Sequence, residues 1–211
     1  MKKVLFITAN PKSENQSFSL QAGRHFVEKY KANNPTHEVV EIDLYKKDIP
    51  FIDEDVFKAW DKLGRGQDFS SLSVDEREKV EAINSFTDQF INADKYVFAT
   101  PMWNFSMPPK MKLYIDTLMI AGRTFAYTEN GPKGLLDGKK ALHVHASGGV
   151  YSQGPAQAMD FGNKYLQSVL SFMGVTDFEA VLLEGTNVPD IPDEEIKESA
   201  LEALGSLANK F

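Results

Sequence analysis

Two four-residue apolar runs, Val4-Leu5-Phe6-Ile7 and Tyr96-Val97-Phe98-Ala99, decide what this chain can fold into. Neither alternates with polar residues. Each is cut short by a breaker, Asn10-Pro11 in the first case and Thr100-Pro101 in the second. A strand that short and that uniformly apolar is buried on both faces, as in a parallel sheet sandwiched between helices. Residues 141–146 and 178–183 read as two further strands, the first running into Ser147-Gly148-Gly149. Residues 37–45 alternate instead, with Val40, Ile42 and Leu44 on one side, and so belong nearer the sheet edge.

Helical periodicity fills the intervals. From about 17 to 31, Phe18, Ala22, Phe26 and Tyr30 recur every four residues, and Asn33-Asn34-Pro35 stops that helix. Ser73-Val74-Asp75-Glu76 is a capping box that opens a helix through Val80, Ile83, Phe90 and Ile91. Pro108-Pro109 starts the next helix at its first turn, with Gly122 as its expected end. Another helix is predicted over 155–173, closed by Gly174. The last opens at Pro192, where Asp193, Glu194 and Glu195 complement the positive end of the helix dipole. Between 46 and 72, Val56, Phe57 and Trp60 suggest a short helix within an excursion of the kind that forms lids or interfaces. Residues 123–138 carry only turn signals, Asn130-Gly131-Pro132 and Asp137-Gly138. Five strands, each followed by a helix, predict an α/β fold in one domain spanning 1–211. Its core is a five-stranded parallel sheet with helices on both faces.

Composition removes several function classes. With 23 Lys plus Arg against 30 Asp plus Glu, the chain is acidic and shows no basic stripe, so no nucleic-acid partner is expected. Its lack of cysteine excludes disulfides, thiolate metal sites and a catalytic thiol. The four histidines show no metal-ligand spacing, so no metal site is expected. His143 and His145 alternate on one strand and read as structural. No segment approaches the ~20 apolar residues of a membrane span, and the run after Met1-Lys2-Lys3 is too short for a secretion signal. A cytoplasmic protein is expected.

In a parallel sheet of this kind, ligands sit beyond the carboxyl ends of the strands, where strand order reverses. Three loops are therefore nominated. The first, around Asn10 to Ser19, lacks the Gly-Lys-Ser/Thr of a P-loop and the Gly-x-Gly-x-x-Gly of a dinucleotide fold. It offers hydroxyls and amides just before a helix, a combination suited to a phosphomonoester, although Ser17 equally reads as a plain helix cap. The second sets Met102, Trp103, Phe105 and Met107 between prolines with Asn104 as a polar handle. Such a loop suits packing against a flat ring, unless its side chains dock into the core. The third holds Gly148, Gly149 and Gly154. These permit close backbone approach to a ring edge or, on the plainer reading, a flexible connection.

These loops, with the stretch 121–128 (Ala-Gly-Arg-Thr-Phe-Ala-Tyr-Thr), Gly131-Pro132 and Gly148-Gly149-Val150-Tyr151, carry a resemblance over nearly the whole chain. The sequence resembles the FMN-dependent NADH-azoreductases of the flavodoxin-like NAD(P)H:quinone oxidoreductase group. That resemblance implies a flavodoxin-like three-layer fold and a homodimer whose active sites lie at the interface, with residues 50–70 contributing. It implies that Ser17, Phe18 and Ser19 hold the FMN phosphate with Asn10 close by. Pro101, Met102, Trp103, Asn104 and Phe105 would line the isoalloxazine, while Ala146, Ser147, Gly148 and Gly149 would meet its pyrimidine side. Tyr127 and Tyr151 would line the substrate pocket. The family often has Ser in place of Asn10, and some members have Ser-Arg in place of Ala146-Ser147.

The implied chemistry is ping-pong. NADH or NADPH gives hydride to flavin N5 and leaves, and a quinone or aromatic azo compound then takes it up. No acid–base side chain is nominated. On the residues alone, a flavodoxin-like electron carrier without its own small-molecule substrate stays open. A response-regulator-like module is disfavoured, because Asn10 and Thr100 stand where it needs acids.

Overall fold

The computed structural model describes residues 1–211. The strands are β1 (Lys3–Thr8), β2 (Glu38–Asp43), β3 (Lys95–Pro101), β4 (Phe125–Thr128), β5 (Gly131–Gly134), β6 (Lys140–Ser147) and β7 (Asp177–Glu184). The helices are α1 (Phe18–Asn33), α2 (Glu54–Gly64), α3 (Val74–Ile91), α4 (Pro109–Leu118), α5 (Phe161–Phe172) and α6 (Asp193–Ala208). Five strands form one parallel sheet in the order β2-β1-β3-β6-β7. The alternating strand β2 lies at its edge, as its pattern predicts. No helix is long and apolar enough to cross a membrane.

The apolar runs are continuous because both faces of the sheet are covered. Along β1, Leu5 and Ile7 enter one core with Tyr96 and Phe98, packed beneath α3, α4 and α5. Val4 and Phe6 point the other way, into a second core with Val97, Leu142 and Val144 beneath α1 and α6. A strand sends successive side chains to opposite faces, so a strand with two buried faces needs an apolar residue at every position. Helix α2 stands outside these layers, and Ala59 packs with Leu72 and Val80 against α3. The Ser73–Glu76 capping box forms as predicted, each partner's side chain taking the other's backbone N–H.

Four local expectations need correction. The edge strand stops at Asp43, whose carboxylate accepts the Tyr45 N–H at 3.0 Å and turns residues 44–46 into a short 3-10 turn. Helix α4 stops at Leu118, well before Gly122, because the Thr124 hydroxyl caps the Leu118 carbonyl at 2.6 Å. The helix expected over 155–173 is split: a 3-10 turn covers Pro155–Met159, and α5 begins anew after Asp160, whose side chain accepts the Asn163 N–H at 3.0 Å. Finally, the turn-rich segment contains the antiparallel hairpin β4–β5, which lies outside the main sheet. Gly134 of this hairpin crosses Gly174 so closely that a Cβ would overlap the Gly174 backbone nitrogen.

The sheet order places the reversal between β1 and β3: the chain leaves β1 toward β2 on one side and returns to β3 on the other. The crevice beyond their carboxyl ends is where the fold offers a ligand site.

Candidate functional site

The Ala9 N–H still pairs with the Ala99 carbonyl at 3.2 Å, which keeps β1 and β3 together to their ends and releases the chain at Asn10. A short turn at Glu14–Gln16 then delivers Ser17 to the N-cap of α1, where its Oγ accepts the Leu20 N–H. Asn10 donates to the same oxygen at 2.9 Å. The Phe18 and Ser19 N–H groups, the first of α1, take no partner inside the chain. Helix starts of this kind present free donors and a positive dipole end to an anion.

The second loop is a tight backbone hairpin. Trp103 and Ser106 exchange both N–H···O bonds, at 2.8 and 2.9 Å. The two residues between them, Asn104 and Phe105, have φ of 49° and 66°. Both lie in the left-handed region required at the centre of a type I′ turn. Asn tolerates that region, whereas Phe does so only under strain. The loop is tied to its neighbour by the Met102 N–H, which donates to the Ala146 carbonyl at 2.6 Å, and to α5 by the Phe161 N–H on the Phe105 carbonyl at 3.0 Å. Its side chains divide. Met107 docks into the core, Trp103 stands edge-on to Tyr45 at 6.3 Å, and Phe105 faces outward against Tyr151 at 6.2 Å.

The third loop is braced by a fourth that sequence reasoning missed. After β7, the Gly185, Thr186 and Asn187 N–H groups donate in turn to the Gly149, Ser147 and Gly148 carbonyls, at 3.1, 3.2 and 2.9 Å. All three carbonyls are thereby turned inward, and the Gly148 and Gly149 N–H groups remain without an internal acceptor. The Ser147 hydroxyl is also committed, donating to the Gly149 carbonyl at 2.8 Å. Its contribution is therefore to loop shape. At Gly148 the space is tight, since a Cβ there would lie 2.5 Å from the amide nitrogen at the end of the Asn187 side chain.

Together these loops line a cleft of about 200 Å³. It gathers Asn10, Ser17, Phe18, Pro101, Met102, Trp103, Ala146, Ser147 and Gly148, and adds Lys12, Gln16, Thr186 and Asn187, none of which the sequence had singled out. Lys12 and Gln16 lie in the nominated first loop but carry no motif, and the role of Thr186 and Asn187 rests on main-chain bonds that no side-chain pattern announces. Ser19 is buried behind Ser17, with the two hydroxyls 3.2 Å apart. Asn104, Phe105, Gly149 and Tyr151 lie on loops that form this rim without lining the cleft itself. Tyr127 is elsewhere: it borders an apolar hollow of about 390 Å³ with Trp60, Met119, Ile120, Ala121 and Phe125.

His143 and His145 face the core side of β6 and share the Thr100 hydroxyl, at 2.8 and 3.0 Å. Burial holds both neutral, His143 well below the ordinary imidazole range and His145 pushed down to about 4. They support the strand ends from which the second and third loops leave. The cleft they support has no carboxylate in its lining and presents main-chain N–H groups, hydroxyls and amides beside aromatic and thioether surface. That donor set fits an acceptor-rich flat ring carrying an anionic tail toward α1.

A family profile described as a flavodoxin-like fold matches residues 2–207. FMN-dependent NADH:quinone oxidoreductase 2 of Bacillus thuringiensis subsp. konkukian is 52% identical over 211 residues, covering 100% of both chains. The chain belongs to this flavodoxin-like NADH:quinone oxidoreductase family. Another relative, the FMN-dependent NADH:quinone oxidoreductase of Geobacillus kaustophilus, is 51% identical over the same full length. Among solved structures, an azoreductase from Bacillus anthracis str. Sterne superposes with a TM-score of 0.93 at 40% identity, covering 100% of both chains. An FMN-dependent NADH-azoreductase from Bacillus anthracis str. Ames Ancestor, in complex with FMN, gives 0.93 at 36% identity and covers 100% of this chain and 99% of its own.

Proposed function

We propose that this protein is an FMN-dependent NAD(P)H oxidoreductase that reduces quinones and aromatic azo compounds. The observation that carries this reading is the donor-lined cleft at the strand reversal, in a chain 52% identical along its whole length to an FMN-dependent NADH:quinone oxidoreductase. Bound FMN supplies hydride chemistry at N5, accepting from NADH or NADPH and giving to the acceptor in ping-pong order. The protein's own residues bind and orient. Ser17 and the Phe18 and Ser19 N–H groups hold the phosphate. Met102 and Trp103 give the ring an apolar, polarisable wall. The freed N–H groups of Gly148 and Gly149 would serve the ring's pyrimidine side as donors that favour negative charge there. Protons come from water.

The working form is a homodimer in the cytoplasm. Phe57 packs on Trp60 at 5.9 Å, Trp60 shares its hollow with Phe125 and Tyr127, and Phe125 packs on Phe172 at 4.9 Å. Phe57 is 62% and Tyr127 75% exposed, an aromatic surface that a lone subunit rarely leaves open. Since Tyr127 lies apart from the cleft of its own chain, its place in a substrate pocket is over the cleft of a second copy.

The test is spectroscopic. The purified protein should show flavin bands near ~375 and ~450 nm, bleach within the mixing time of anaerobic NADH or NADPH, and recover on adding a quinone. A flavin that bleaches only through a second redox protein would instead mark an electron carrier.

A further inference from the structure

The hydrogen-bond directions around Ser17 are fixed by the backbone. The Lys12 N–H donates to one terminus of the Asn10 side chain at 3.0 Å, so that atom is the carbonyl oxygen and the other is the amide nitrogen. The nitrogen then donates to Ser17 Oγ at 2.9 Å, and the Leu20 N–H donates to the same oxygen at 3.3 Å. A hydroxyl oxygen has two lone pairs, and both are now used. Ser17 is left with its proton alone to offer. Its one internal acceptor is Ser19 Oγ at 3.2 Å. Asn10 and Ser17 are 6% and 4% exposed, so solvent does not redistribute these bonds.

The amide oxygens at this end of the cleft are already engaged, Asn10 Oδ1 by the Lys12 N–H at 3.0 Å and Gln16 Oε1 by the Ser13 hydroxyl at 2.8 Å, so what remains on offer is donors. The Phe18 and Ser19 N–H groups are unpartnered donors, and the Lys12 side chain lines the cleft beside them. The nearby carboxylates are paired as well, Glu14 and Glu41 with Arg24 at 3.1 and 2.6 Å and Asp43 with Lys46 at 2.9 Å.

We infer that Asn10 is a positioning residue that makes this rim donor-only, so that it selects the phosphate dianion of FMN over the protonated monoanion and over riboflavin. The inference rests on the cofactor reading above and adds which ionic form the site takes and which residue sets that choice. A monoanionic phosphate carries a proton that it must donate, and the acceptors at this rim already hold other donors. A buried donor left unsatisfied costs most of its desolvation.

The experiment titrates the flavin-stripped full-length protein with FMN and with riboflavin, by flavin fluorescence, at about pH 8 and about pH 5. The phosphate's second proton binds near pH 6, so FMN should bind roughly tenfold more weakly at the lower pH, while riboflavin should not change. Asn10→Asp replaces the amide donor with an acceptor and draws the Ser17 proton inward. It should weaken FMN roughly 30- to 100-fold at the higher pH and riboflavin by no more than about threefold. Asn10→Ser, whose hydroxyl serves either direction, should keep FMN within about tenfold and flatten the pH dependence. FMN binding equally well at both pH values in the wild type, or Asn10→Asp losing both flavins alike, overturns the inference and leaves the cofactor reading standing. Uptake of neither flavin by the wild type overturns both.

Discussion

Trp103 and Ser106 exchange both of their backbone hydrogen bonds across Asn104 and Phe105, closing a two-residue hairpin whose central positions are both left-handed. The turn fixes where Met102 and Trp103 present themselves to the cleft, and the Met102 N–H on the Ala146 carbonyl fixes the turn relative to β6. Backbone strain thus sits in the loop that walls the cleft.

Asn104 carries that conformation at low cost, because a short polar side chain tolerates the left-handed region and a methyl does not. Asn104→Ala should therefore lower stability by about 1–2 kcal/mol and weaken FMN binding, whereas Asn104→Gly should keep both. Thermal unfolding and flavin titration of the two variants check this. Equal loss in both would show that the Asn104 side chain, and not its φ, is what matters.

Two glycines separate cleft geometry from fold stability. A Cβ on Gly148 meets the end of the exposed Asn187 side chain, which can swing away. A Cβ on Gly134 meets the backbone of Gly174, which cannot. Gly148→Ala should leave the fold intact but weaken FMN binding, and adding Asn187→Ala should restore much of it. Gly134→Ala should cost about 2 kcal/mol or more of stability. Denaturant unfolding alongside FMN titration distinguishes the two, and a Gly148→Ala defect that Asn187→Ala leaves untouched would remove Asn187 from this account.

The same contrast explains what was legible in the sequence. The runs at Val4 and Tyr96 reveal a doubly covered sheet because burial on two faces leaves no polar position to confuse the pattern. The three loops follow from topology alone. What stayed hidden is set by contacts that sequence spacing does not encode. Thr124 ends α4 by reaching back to Leu118, and Asp160 restarts α5 by reaching forward to Asn163. The β4–β5 hairpin has four-residue strands, one of them Gly-Pro-Lys-Gly, too short and too poor in β-formers to register as a strand. The brace from Gly185 to Asn187 acts through main-chain N–H groups, and Ser147, which the resemblance sets against the ring, spends its hydroxyl inside the loop.

The buried His143–Thr100–His145 cluster makes stability depend on pH with a definite sign. His145 is held neutral down to about 4 in the folded chain, against an ordinary value of 6.5 in the unfolded one. The unfolded state therefore binds the extra proton between those values. The contribution is complete above pH 6.5 and is lost as pH falls toward 4, on the order of 3 kcal/mol for this residue. Unfolding free energies measured across that range should decline more steeply for the wild type than for His145→Gln. Parallel slopes would mean that the imidazole is not shifted.

Tyr127 gives the sharpest test of how the site is completed. It is 75% exposed and borders a hollow with Trp60 and Phe125, while the cleft with Ser17 and Gly148 is lined by other residues. If a second copy brings this tyrosine over the cleft, Tyr127→Ala should raise the KM for quinones severalfold while leaving FMN affinity unchanged. A mixed dimer then decides which chain supplies it. One subunit carries Tyr127→Ala. The other carries Asn10→Asp with intact Tyr127, so that only the first subunit's cleft holds FMN. The mixed species should show wild-type KM at that one cleft, because its tyrosine arrives from the partner. If the tyrosine serves its own chain, the same species keeps the defective KM.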